Sequence, residues 1–309
     1  MKLAATLLAF AVTATSAQTT KIKLWPHAIP DVQTTHSSEK FRSSAENISD
    51  ITNPLMIVYP PASSVPNTGA AVLVFPGGGY QMLGIVKAGT EPCEYIASLG
   101  ITCFLVEYRV PLRGHYPEQK AMIEDGQQAV RLVRSQAAAY KIDPDNIGAL
   151  GGSAGANLVA ILSTHPDDDR TLATPAAAEV PMTNGKPVSA KLNFAILCWP
   201  AYLYNYDGDD PWTLDPTYKP NQFTPRTFII QAENDDKHGP NSLDYYAALM
   251  KAKIPAELHM YATGGHGFGL HPSSYGQAHW TDLLTNWLRY NKIIPGWVAE
   301  TDHRTKRTN

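Results

Sequence analysis

An α/β fold, with a mostly parallel central sheet and helices on both faces, is what this sequence predicts, and two observations carry the prediction. Short, nearly continuous apolar runs alternate with longer amphipathic segments, and the runs lack the polar alternation of a sheet with one wet face. The 309 residues, 44% hydrophobic and 17% charged, supply a sizeable core without the charge excess of a disordered chain.

In chain order, apolar runs of strand length fall at 55–59, 71–75, 101–107, 147–150, 194–199, 227–232 and 257–261. Segments of helical length and patterning lie between and after them at 92–99, 118–140, 154–164, 241–251 and 275–290. There is no internal repeat, so one domain over 54–295 is expected. Two stretches break the alternation. Residues 165–191 cluster Pro, Asp and Ala, and 201–224 are rich in Tyr, Trp, Asp and Pro. Both read as insertions, and the second leaves the carboxyl end of a strand, where open parallel sheets bind ligands. Its aromatic residues Tyr202, Tyr204, Tyr206, Trp212 and Tyr218 either stack on a sugar or pack as a satellite core.

Residues 1–17 carry Lys2, an apolar stretch from Leu3 to Val12 and a small-residue site ending at Ala17, the pattern of a cleavable export signal. The expected location is secreted or periplasmic, without membrane association after cleavage. Residues 18–53 read as an extended polar lead-in and 296–309 as a polar tail. A net charge of -3 gives no basic stripe for nucleic acid. Cys93, Cys103 and Cys198 have no metal-ligand spacing; Cys103 and Cys198 sit in apolar runs, so buried free thiols are expected, with at most one disulfide, such as Cys93 with Cys103, as the alternative in an oxidising compartment. The histidines show no metal pattern, and Asp167-Asp168-Asp169 lacks the alternating oxygens of a calcium loop. Neither metal nor cofactor is expected.

Three motifs carry chemistry. Gly151-Gly152-Ser153-Ala154-Gly155 fits G-x-S-x-G between a short strand and an apolar helix, which sets a serine on a sharp turn with its hydroxyl exposed. The helix beginning there aims N–H groups at charge developing beside the serine. Phe75-Pro76-Gly77-Gly78-Gly79-Tyr80 ends a strand with unobstructed backbone amides, suited to an oxyanion. It lacks both nucleotide-loop spacings. In Gly264-Gly265-His266-Gly267-Phe268-Gly269 a histidine stands on a glycine loop, where packing explains it poorly and proton transfer explains it well. A carboxylate to orient that ring is expected after the 227–232 strand, at Glu233, Asp235 or Asp236. The order is serine, acid, histidine.

With these motifs the chain resembles the α/β-hydrolase esterases related to acetylxylan esterases and bacterial feruloyl-esterase-like hydrolases, from about 55 to 288. The segments Asn241-Ser242-Leu243-Asp244-Tyr245-Tyr246 and Ile254-Pro255-Ala256-Glu257-Leu258-His259 add to the likeness. The resemblance implies an α/β-hydrolase fold and a triad of Ser153, Asp235 and His266, with Asp236 the alternative acid. It further implies oxyanion donors at the N–H groups of Gly78, Gly79 and Ala154. The implied substrate is an acetylated carbohydrate such as xylan, or another small ester. A feruloyl or general short-chain carboxylesterase is the alternative; a peptidase or a catalytically dead carbohydrate-binding protein stands behind it. Two features depart from the family pattern. Pro76 stands where relatives often carry His, and Asp236-Lys237-His238-Gly239 replaces the more usual Pro and Val residues.

Overall fold

The computed structural model describes residues 20–32, 36, 38, 40, 42–112, 119–167, 169–205, 210–270 and 276–296. The export signal read at 1–17, the tail from 297 onward, Tyr206 and Asp168 lie outside the described residues. Eight strands form one sheet: β1 (Lys21–Lys23), β2 (Leu55–Tyr59), β3 (Ala71–Phe75), β4 (Thr102–Glu107), β5 (Ile147–Gly152), β6 (Phe194–Cys198), β7 (Arg226–Ala232) and β8 (Ala256–Tyr261). Their spatial order is β1-β2-β4-β3-β5-β6-β7-β8. The β1–β2 and β2–β4 pairs are antiparallel and all later pairs are parallel. Every residue of β3, β5 and β6 is buried, as strands covered on both faces require.

Helices α1 (Glu91–Ser98), α2 (Lys120–Ser135), α3 (Ala154–Thr164), α4 (Gly239–Lys251) and α5 (Trp280–Tyr290) provide that cover. Alternate strand residues point to opposite faces, and the core divides accordingly. Leu73, Phe75, Phe104, Ala149 and Leu197 join Val130 of α2, Leu158 of α3 and Leu249 of α4. Val72, Val74, Leu105, Ile196 and Ile230 join Ile96 of α1 and Leu284 of α5. Helices α2, α3 and α4 therefore lie on one face, and α1 and α5 on the other.

The sheet begins earlier than its apolar runs suggest. Within the expected lead-in, Lys21 to Lys23 pair with Ile57 to Leu55, and Leu24 and Trp25 are buried. The Trp25 indole N–H donates to Asp125 Oδ1 at 2.7 Å on α2, and Asp125 also holds the buried Arg109 through two bonds to Nε. The expected helix at 118–140 ends at Ser135, with a separate 3-10 turn over Ala137–Tyr140. The insertion at 201–224 folds as an antiparallel ribbon of Tyr204–Asn205 and Asp210–Leu214. It is tied to α4 by Leu203 N–H donating to Asn241 Oδ1 at 2.6 Å.

The thiol expectation needs correction. Cys93 on α1 and Cys103 on β4 form a disulfide with Cα atoms 5.4 Å apart; only Cys198 remains a buried free thiol, its pKa pushed up by burial. Cys93 and Cys103 share one core cluster because β4 turns Cys103 toward α1. Hydrophobicity alone gives no sign of which helix covers which strand face.

Candidate active site

At the carboxyl end of β5 the chain turns sharply into α3. Ser153 follows β5 directly and has φ 55° and ψ -122°, a conformation costing about 1–3 kcal/mol for a non-glycine residue unless its surroundings enforce it. They do. Ser153 N–H donates to Cys198 O at 3.0 Å, while Ser153 O accepts from Ala156 N–H at 3.0 Å and Asn157 N–H at 3.2 Å. A Cβ on Gly155 would stand 1.9 Å from Phe75 O, and one on Gly77 would stand 2.5 Å from Gly152 O. Glycine at these two positions lets the Phe75–Tyr80 loop and the serine turn pass in backbone contact.

That loop is fixed from below. Tyr108 Oη donates to Pro76 O at 2.6 Å, so a buried tyrosine secures the backbone at Pro76. Tyr80 Oη donates to Asn157 Oδ1 at 2.8 Å, Gln119 Nε2 donates to the same oxygen at 2.7 Å, and Asn157 Nδ2 donates to Tyr202 O at 3.0 Å. The fully buried Asn157 thus joins the glycine loop, α3 and the aromatic insertion. Its sequence signal is a lone amide in an apolar helix.

Ser153 Oγ and His266 Nε2 are 2.7 Å apart, and His266 Nδ1 and Asp235 Oδ2 are 2.6 Å apart. A carboxylate only accepts, so Nδ1 carries the ring proton and the neutral Nε2 accepts from the serine hydroxyl. Asp235 is buried, whereas Glu233 and Asp236 are exposed. The turn holds Asp235 through its carbonyl, which accepts from His238 N–H at 3.0 Å and Gly239 N–H at 2.6 Å. The histidine loop is tied to the same turn by Gly265 N–H donating to Asn234 Oδ1 at 2.8 Å. Three side chains drawn from positions 153, 235 and 266 thus form one hydrogen-bonded chain.

The chain opens onto a cleft of about 410 Å³, where Gly77, Gly78, Gly79, Ser153 and His266 meet Tyr202 and His238. Gly78 and Gly79 both have positive φ. Ala154 is the first residue of α3, so its N–H has no intrahelical acceptor. Beside Gly152 and Trp199, both of which also line the cleft, an apolar recess of about 20 Å³ runs inward among Pro92, Tyr95, Leu150, Cys198 and Trp280. The Trp199 ring is held edge-on by Phe268, with centroids 4.7 Å apart, and by Trp280. Neither Trp199 nor His238 belongs to a motif, and sequence reasoning missed both as site residues. Of the insertion's aromatic residues, Tyr202 lines the cleft, Tyr218 is buried and Trp212 is exposed.

Fold and site together define a hydrolase-type α/β protein with a serine-histidine-aspartate constellation. Residues 72–270 match the α/β-hydrolase fold family, and the chain belongs to it. An acetylxylan esterase of Xylanibacter ruminicola is 28% identical over 79% of this chain and 49% of its own length. Endo-1,4-β-xylanase B of Butyrivibrio fibrisolvens is 28% identical over 63% of this chain and 32% of its own length. The chain thus spans half or less of these two relatives. Among solved structures, an acetyl ester-xyloside bifunctional hydrolase from Caldicellulosiruptor lactoaceticus superposes with a TM-score of 0.68 at 27% identity, covering 89% of this chain and 97% of that one.

Proposed function

We propose that the protein is an exported serine carboxylic-ester hydrolase that removes O-acetyl groups from xylan or related carbohydrates. The observation that carries this reading is the Ser153–His266–Asp235 chain, with links of 2.7 and 2.6 Å, opening beside the Gly77–Gly79 amides. Ser153 Oγ attacks the ester carbonyl carbon as its proton passes to His266 Nε2, and Asp235 holds the ring in the tautomer that can receive it. The N–H groups of Gly78, Gly79 and Ala154 donate to the developing oxyanion, each donor worth about 3 kcal/mol in comparable sites. His266 then returns the proton to the departing alcohol oxygen, and water, activated by the same histidine, releases the acid.

The small apolar recess beside Gly152 and Trp199 is suited to a short acyl group such as acetyl. The named activities of the acetylxylan esterase and acetyl ester-xyloside hydrolase relatives point to a carbohydrate alcohol. Export is supported by the 1–17 pattern and by the Cys93–Cys103 disulfide, a bond that persists in oxidising compartments.

The test is acetate release from acetylated xylooligosaccharides, with Ser153→Ala alongside. Release that drops by roughly 10⁴ to 10⁶-fold in the variant is expected. Serine-dependent hydrolysis of aryl acetate without release from the oligosaccharides would keep the mechanism and overturn the substrate.

A further inference from the structure

The cleft holds a second histidine that the triad does not use. His238 is 7% exposed and lines the cleft with Ser153 and His266. Its ring lies 5.0 Å from that of His266 and meets Tyr202 edge-on at 5.2 Å. The backbone fixes its position, since His238 N–H donates to Asp235 O at 3.0 Å and His238 O accepts from Gln231 Nε2 at 3.1 Å. The same turn therefore presents both the triad acid and this ring.

The two nitrogens of His238 are not equivalent. Nδ1 is sealed from solvent and has no hydrogen-bond partner among the described residues. A proton on Nδ1 would be buried without an acceptor, so the neutral ring carries it on Nε2, the nitrogen left to meet the cleft. Burial first, then the neighbouring His266 and Lys237, lowers the pKa to about 4 against the pull of Asp235. The ring is therefore a neutral donor at ordinary pH.

The geometry points to His238 as a substrate-contacting residue that donates Nε2–H to a hydroxyl on the alcohol half of the ester. This inference rests on the proposed ester hydrolysis. His266 must reach the departing alcohol oxygen to protonate it, so the ring packed beside His266 faces the alcohol half. The carbonyl oxygen belongs to the glycine-loop amides, and the ester oxygen belongs to His266. What remains for a donor at this place is an oxygen adjoining the ester, as in an acetylated polyol. The site is thereby selective for acetates whose alcohol carries a neighbouring hydroxyl.

The test compares 1-acetylglycerol with propyl acetate, which share a carbon skeleton and differ by two hydroxyls. Wild-type enzyme is expected to favour acetylglycerol by about tenfold in kcat/KM, the upper range for one neutral hydrogen bond. His238→Phe, which keeps a flat ring without the donor, should bring that ratio toward one, and His238→Gln, which retains a donor, should preserve most of it. His238→Leu serves the same comparison should the phenylalanine variant not fold. A wild-type ratio near one, or a ratio that both apolar variants leave intact, overturns the proposal. Neither substrate contains xylose, so failure on xylan oligomers with the ratio intact would strike only the xylan assignment. Hydrolysis of neither ester by wild type would remove the esterase reading and this inference with it.

Discussion

The two sides of the cleft are built on opposite terms. On the serine side, glycines stand where a Cβ would strike backbone atoms, as at Gly155 with Phe75 O 1.9 Å away. On the histidine side, Gly267 has φ 75° and nothing within 4 Å of where its Cβ would be. The first glycine is there for room, the second for conformation. The Ser153 turn, locked by backbone contact, thus faces a histidine loop whose place is set by hydrogen bonds donated to Asp235 and Asn234. In the proposed mechanism, rigidity falls where oxyanion amides would have to be preset, and the side that would carry the proton retains space.

Substitutions can break or sharpen that contrast, beginning with the largest effect. Asp235→Asn should lower kcat by about 10⁴-fold, because an amide no longer enforces the required tautomer, whereas the exposed Asp236→Asn should change it less than about threefold. Equal losses in steady-state assays would contradict the assignment of the buried carboxylate. Gly155→Ala should cost more than about 3 kcal/mol, since the opposing atoms are backbone and cannot rotate away; urea unfolding measures it. Gly267→Ala should cost only about 1–2 kcal/mol, the penalty of a left-handed residue in open space. If the two alanines destabilise equally, the contrast between the sides fails.

His238 sits at the boundary and adds a pH dependence. Its folded-state pKa, about 4 against an ordinary 6.5, means that folding favours the neutral ring. Stability from this residue is complete above pH 6.5 and is lost as pH falls toward 4, by as much as about 3 kcal/mol. His238→Phe should therefore lose less stability than wild type between pH 6.5 and 4 in denaturant titrations. Parallel curves would show that the ring titrates freely.

What could be read in the sequence follows from how local each constraint is. The serine turn was legible because its glycines answer to steric demands within a few residues, and the central strands were legible because covering both faces makes them uniformly apolar. The choice of Asp235 over Glu233 and Asp236 depended on family likeness, since three acids crowd one turn; the structure turns Asp235 inward to His266 and leaves the other two exposed. The edge strand at Lys21–Lys23 was missed because two of its three residues are lysines and its pairing is supplied by β2. The Cys93–Cys103 bond depends on α1 covering one face of β4, a tertiary fact with no local signature. His238 and Trp199 escaped for the same reason, since folding alone brings them to the cleft.

The most direct test of the serine assignment is mass-spectrometric mapping after exposure to a fluorophosphonate probe. One covalent adduct is expected, on the peptide bearing Ser153, with labelling slowed by orders of magnitude in His266→Ala. A folded protein that takes no label, or takes it on another residue, would contradict the account.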